Sequence, residues 1–235
     1  MSGPLIRLIG HTRATRQLCA KLRSEAQSFP MISAQDALAR LREGNRRFVA
    51  NESTTSGLLT PSQRLALANG QEPFAIVLGC SDSRVPAELV FDQGFGDLFV
   101  IRVAGNIVAP SQVGSVEFAA ARFRTRLVVV MGHSQCGAVT AAVEEALGRA
   151  TTESRNLRSI VDRVRPSVET VVAGRADRSV EALVSDAVRA NVRASVDHLR
   201  HGSELLEGLI QREGLHVVGA EYSLDSGVVT FFDEE

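Results

Sequence analysis

The stretch FAIVLG at residues 74–79, followed directly by CSDSR at residues 80–84, is the strongest indication of how this chain folds. A short apolar run bounded by turn-forming residues is typical of a strand buried on both faces, as in a parallel sheet. The same pattern recurs in LFVIRV (98–103) and LVVVMG (127–132), with a helical stretch between the two. This alternation predicts an α/β fold with a mostly parallel central sheet flanked by helices.

The flanking segments extend the pattern in both directions. Ser33, with an acidic residue three positions later, has the features of an N-cap and predicts a helix near 34–50. LHVVGAEYSL, a turn at 225–227 and VVTFFD predict a C-terminal strand hairpin. The remaining predicted elements are all helices, near 61–69, over 113–123, after Cys136 and throughout 153–213. One apolar stripe in that last region is expected to be core: Val180, Leu183, Val184, Ala187, Val188, Asn191 and Val192.

Composition fits one domain and excludes several classes of partner. The 235 residues, 44% of them hydrophobic, suffice for one substantial core. We predict a single α/β domain over 33–235, preceded by an N-terminal helical extension over 1–32 that packs between subunits. A net charge of −1 gives no basic field for nucleic acid, and no apolar run is long enough to span a bilayer. The N-terminus lacks the apolar centre of a secretory signal, so a cytoplasmic location is the default expectation.

Potential metal ligands follow two of the predicted buried strands. Cys80 comes directly after the first strand, and His133 and Cys136 follow the third. Ligands collect beyond the carboxyl ends of strands in open α/β sheets, so these three side chains are expected to meet. Two thiolates and one imidazole favour zinc, and a set of three leaves a fourth position open, as in catalytic sites.

The other cysteine and histidines carry less information. Cys19 is expected to be an ordinary thiol, and His11 and His216 are isolated. His198 and His201 have ligand spacing, but because no cysteine or acid is obviously paired with them they are expected to lie on a solvated helix face.

Asp82 and Arg84 suggest a catalytic use for the metal. Two thiolates leave zinc with little residual charge, so its bound water needs help from a carboxylate that accepts a hydrogen bond. Arg84, two residues further on, can hold Asp82 in position and keep its pKa low. We therefore predict that Asp82 orients the water and that Arg84 holds Asp82.

At this point the sequence resembles the β-class carbonic anhydrases. The resemblance is carried by CSDSR (80–84), HSQCG (133–137) and FVIRVAGN (99–106), and extends more weakly from about residue 35 to the C-terminal strands. It implies one zinc per subunit, held by the two cysteines and the histidine. It also implies reversible hydration of carbon dioxide to bicarbonate and a proton, by a zinc-bound hydroxide that the Asp-Arg dyad orients.

The resemblance also implies a substrate wall and an oligomer. Gly137 matches a residue whose backbone amide contacts a substrate oxygen. Gln71 matches a glutamine whose side-chain amide faces the substrate, and Phe99 matches an apolar residue in the wall of the substrate site. In the family the neighbouring subunit donates part of this wall, so a homodimer is the expected minimum and a tetramer is open. Phe118 stands where one branch has tyrosine. The chain has no tryptophan, so an inhibitory bicarbonate pocket built around one is not expected.

The sequence allows one alternative function, disfavours a second and excludes a third. A hydrolase acting on carbon disulfide or carbonyl sulfide could use the same ligands and dyad. A non-catalytic zinc protein is disfavoured, because a structural metal needs no aspartate beside it. A dinucleotide enzyme fails, because Gly94-Phe95-Gly96 lacks the third glycine and the helix start of the fingerprint.

Overall fold

A five-stranded sheet with the order β2-β1-β3-β4-β5 forms the centre of the molecule. The computed structural model describes residues 32–55, 59–152, 154–175 and 177–232, so most of the predicted N-terminal extension lies outside the described residues. The first four strands are parallel, and the last pairs antiparallel with β4. The strands are β1 (Ala75–Gly79), β2 (Leu98–Arg102), β3 (Leu127–His133), β4 (His216–Tyr222) and β5 (Val229–Phe231). The predicted α/β fold and the C-terminal hairpin are confirmed.

Helices cover both faces of the sheet. In chain order they are α1 (Ala34–Val49), α2 (Pro61–Leu67), α3 (Ala87–Val90), α4 (Pro110–Arg122), α5 (Gly137–Ala146), α6 (Arg155–Val172), α7 (Val180–His201) and α8 (Glu204–Glu213). A short 3-10 helix, Ala104–Asn106, connects β2 to α4. Of the helices that the structure describes, none combines the length and the apolar character needed to cross a membrane.

Helix starts follow the local chemistry of the sequence. The Ser33 hydroxyl accepts a hydrogen bond from the Asp36 amide, which confirms Ser33 as the cap of α1. Helix α4 begins at Pro110, earlier than predicted, because proline has no amide to satisfy at a first helical position. The apolar pattern used for the prediction starts only at Val113. Helix α3 and the 3-10 helix are too short to give a periodic signal and were not predicted.

Alternate side chains of the central strands pack into two separate hydrophobic cores, one on each face of the sheet. Val77 and Val129 face α1, where they pack in a cluster that contains Leu41. Ile76 and Val128 face the other way, into a cluster with residues of α4, α7 and α8. Both strands are therefore fully buried, as the apolar runs predicted.

A third core holds the predicted ligand cysteines. Cys80 and Cys136 pack with apolar residues of α5, α6 and α7. The predicted stripe on α7 lies largely in this core and is buried except for the partly exposed Val180. Helix α7 also approaches β3 closely at Gly132, where an added Cβ would lie only 2.7 Å from Cγ2 of Val192. This contact fixes α7 against the backbone beside His133.

Candidate metal centre

The carboxyl ends of β1 and β3 bring the three predicted ligands together. Cys80 is the first residue after β1, His133 ends β3, and Cys136 is the N-cap residue of α5. Because β1 and β3 are parallel neighbours, these ends share one edge of the sheet. One donor atom from each residue lies within 4.8 Å of the others, and all three residues are buried. The structure thus brings these three side chains together, as the sequence predicted, in a group that could hold a metal ion.

The donor atoms suit a tetrahedral zinc ion. Two thiolates at about 2.3 Å from one zinc are separated by about 3.8 Å, and the Sγ atoms of Cys80 and Cys136 are 4.0 Å apart. That distance is far too long for a disulfide, and both cysteines are free. Nδ1 of His133 lies 2.9 Å from the Ser134 carbonyl oxygen, to which it can donate. Nε2 is then the nitrogen available to a metal, and it is buried without a hydrogen-bond partner.

The thiols of Cys80 and Cys136 shift each other's pKa in opposite directions. Hydrogen bonding with Cys136 lowers the pKa of the Cys80 thiol, and the same contact together with burial raises the pKa of Cys136. A metal ion needs both sulfurs as thiolates. Metal uptake at this site therefore releases the proton that the cysteine pair retains.

Asp82 lies beside the ligand group and is held by Arg84. Nε and an Nη of Arg84 donate to the two carboxylate oxygens at 2.9 and 2.7 Å, and its backbone amide donates at 3.0 Å. These hydrogen bonds hold the pKa of the Asp82 carboxyl well below its usual range. One carboxylate oxygen is 3.9 Å from Nε2 of His133. An ionised acceptor therefore faces the place where the ligands converge.

Arg102 supports this loop and was not singled out from the sequence. Its side chain, at the carboxyl end of β2, donates to the carbonyl oxygens of Cys80 and Asp82. The backbone that carries one ligand and the acidic residue is therefore tied to the neighbouring strand. An arginine at the carboxyl end of the strand next to the one that leads to Cys80 is the signal that could have pointed to it.

Gly105 is a second residue that sequence reasoning did not assign. Its amide donates to Sγ of Cys80 at 3.3 Å. The residue has φ of +68°, and an added Cβ would lie 3.1 Å from Cβ of Ala138, so glycine suits both the backbone conformation and the space.

The predicted substrate-wall residues separate into two groups. Gly137 opens α5 next to Cys136 and is exposed. Gln71 precedes β1, and Phe99 pairs in register with Ile76 near the start of that strand. Cys80 lies four residues further along, about 13 Å at the rise of a strand. Within one chain, Gln71 and Phe99 therefore lie towards the amino-terminal ends of the strands, whereas the three candidate ligands lie at the carboxyl ends.

The remaining histidines give no second site in the described part of the chain. His201 is exposed on α7, with Nε2 3.6 Å from Asp197 four residues earlier. Its geometry is that of a solvated helix face, as predicted. His216 is exposed at the start of β4, while His11 and Cys19 lie outside the described residues.

Comparison with known proteins agrees with this site. The family model described as carbonic anhydrase matches residues 75–229, which include all three ligands. The chain belongs to the carbonic anhydrase family. Carbonic anhydrase 2 of Mycobacterium tuberculosis is 40% identical over 191 residues, covering 80% of this chain and 87% of that protein. The carbonic anhydrase of Mycolicibacterium smegmatis is 38% identical over 193 residues, covering 80% and 88%.

A solved structure identifies the class. The β-carbonic anhydrase of Aspergillus fumigatus superposes with a TM-score of 0.67 at 27% identity, covering 85% of this chain and 90% of that one. The resemblance to β-class carbonic anhydrases that the three sequence stretches carry is therefore confirmed.

Proposed function

We propose that this protein is a zinc-dependent carbonic anhydrase that catalyses the reversible hydration of carbon dioxide to bicarbonate and a proton. The observation that carries the proposal is the buried Cys80–His133–Cys136 group with the Asp82–Arg84 pair beside it. A purely structural zinc site has four protein ligands and needs no ionised carboxylate next to it. Family membership supports the same reaction.

Each residue has a chemical role in this proposal. Cys80, His133 and Cys136 would hold the zinc, which when bound would acidify a water molecule for addition to carbon dioxide. Asp82 accepts a hydrogen bond from the attacking water and so directs a lone pair of its oxygen at the substrate carbon. Arg84 keeps that carboxylate ionised and aimed.

The start of α5 provides a place for the substrate oxygens. First-turn amides of a helix have no partner within the helix, and they favour negative charge. Gly137 is the first residue of α5, and an added Cβ there would meet no atom within 4 Å. We assign its amide to a substrate oxygen, which gains negative charge as bicarbonate forms.

Stopped-flow hydration of carbon dioxide tests the proposal. We expect turnover by the zinc-replete protein at about pH 7 and at about pH 8.5, where a metal-bound water is more fully deprotonated. A chelator that removes the zinc should abolish it. Activity only at the higher pH would indicate that Asp82 itself takes the fourth metal position at neutral pH and displaces the water. Turnover of carbon disulfide with none of carbon dioxide would instead assign a sulfur-substrate hydrolase.

We also propose that the working unit is at least a homodimer, whose partner supplies the wall residues Gln71 and Phe99. This proposal rests on their distance from the same chain's ligands. Phe99 lies on β2, an edge strand of the sheet, and its ring is 6.2 Å from that of Phe118, which is 49% exposed. An open edge and an exposed aromatic cluster are common features of subunit contacts.

Dilution tests the dimer. If the partner completes the site, turnover per subunit and the sedimentation coefficient should fall together as the protein is diluted. Full turnover by a species that sediments as a monomer would contradict the shared site. Three further points stay predictions from the sequence. They are a zinc-dependent catalytic domain over 33–235, an N-terminal extension over 1–32 that packs against the partner subunit, and a cytoplasmic location.

A further inference from the structure

The 3-10 helix Ala104–Asn106 connects a metal ligand to a helix that carries no ligand. On one side, the Gly105 amide donates to Sγ of Cys80 at 3.3 Å. On the other side, Nδ2 of Asn191 donates to the carbonyl oxygen of the same Gly105 at 2.8 Å. The chain of contacts runs from α7 through one residue of the 3-10 helix to the sulfur.

Asn191 is an unusual residue for its position. It is only 2% exposed and lies within the apolar stripe of α7, where a leucine or valine would satisfy the packing pattern. Burying an amide is costly unless it is hydrogen-bonded, and the partner of its NH2 group is the Gly105 carbonyl. A side chain that only filled the core would not need this group.

Helix α7 is a rigid support for such a contact. At Gly132, next to His133, an added Cβ would lie 2.7 Å from Val192, the residue that follows Asn191. The same helix therefore packs against the backbone beside one ligand and hydrogen-bonds to the residue that contacts another. One turn beyond Asn191, the Ser195 hydroxyl donates to the carbonyl oxygen of Asn106 at 3.2 Å.

We propose that Asn191 is a positioning residue for the metal centre, which fixes Gly105 through its carbonyl group so that the N–H of the same residue, in the preceding peptide group, points at the Cys80 thiolate. A hydrogen bond to a ligand sulfur withdraws electron density from it and orients it, and outer partners of this kind tune the bound metal. The inference rests on the proposed zinc site. It concerns the affinity for the metal and the electron density on the Cys80 sulfur, not the reaction that the protein catalyses.

The test compares Asn191→Leu with Ser195→Ala. The first variant keeps the number and branching of the side-chain heavy atoms and removes the hydrogen bond to Gly105, whereas the second removes the neighbouring bond from the same helix to Asn106. We expect the zinc dissociation constant of Asn191→Leu to rise by about 10-fold, in the range found for outer-shell partners. In cobalt-substituted protein, its sulfur-to-cobalt charge-transfer band should move to longer wavelength, because the sulfur lone pair is no longer stabilised.

Ser195→Ala is expected to leave both readouts within error of the wild type. If Asn191→Leu does not fold, as judged by circular dichroism, Asn191→Ser breaks the same bond with a smaller change and should give the same shifts. An unchanged cobalt band and zinc affinity in a folded variant would overturn the proposal, as would equal shifts in Ser195→Ala. Failure of the proposed function is seen separately, in wild-type protein that binds no zinc or turns over no carbon dioxide.

Discussion

Replacing Cys136 with alanine is expected to remove both the zinc and the activity. Structural zinc sites with four ligands bind with about 10–16 kcal/mol at neutral pH, so one ligand is worth roughly 3–4 kcal/mol. At 1.4 kcal/mol per factor of ten, affinity should fall by roughly 10²- to 10³-fold. Alanine fits the space of the buried Cys136 side chain, so the loss should come from the missing thiolate and not from misfolding.

Elemental analysis and stopped-flow turnover on the same preparation check this result. Cys19→Ala is the matched control, because it also removes one thiol, in a segment that is far in sequence from Cys80 and Cys136. That control should keep about one zinc per subunit and normal turnover. Full zinc content in folded Cys136→Ala protein would refute the role of this cysteine as a ligand.

The ligands could be predicted because strand ends fix both position and direction. Cys80 and His133 follow or end apolar runs that are typical of buried parallel strands, and the carboxyl ends of neighbouring parallel strands lie on the same side of the sheet. Cys80 and His133 could therefore be placed together although they are far apart in the sequence. The contact between Asp82 and Arg84 was predictable for a similar reason, because the two residues are neighbours in one tight loop.

The supporting contacts could not be predicted in this way. Asn191 and Gly105 are 86 residues apart, and a 3.6-residue stripe shows that a side chain is buried but not that its amide has a carbonyl opposite. Gln71 and Phe99 present the converse difficulty. Resemblance names them as wall residues, but only the strand register shows that they lie far from the ligands of their own chain.

Asp82→Asn is expected to keep the zinc and lose most of the turnover. The variant is nearly isosteric and leaves all three ligands in place, so metal content should stay near one per subunit. Asparagine presents an NH2 group and no charge, so it no longer reliably accepts a hydrogen bond from the attacking water. Loss of a positioned acid–base partner generally costs about 10²- to 10⁴-fold, and we expect kcat to fall within that range.

A second ion pair provides the control for Asp82→Asn. Asp186, a residue of α7, pairs with Arg178 at the surface, so Asp186→Asn removes a comparable charge that contacts none of the proposed ligands and should leave turnover unchanged. The pH profile adds a second criterion. Because Arg84 keeps the pKa of Asp82 below the usual carboxyl range, Asp82 is ionised throughout pH 6–9, and its charge should not shape the wild-type profile there. Near-normal turnover by zinc-replete Asp82→Asn would show that the water is oriented by another group, and the structure offers the exposed start of α5 as the place to look for it.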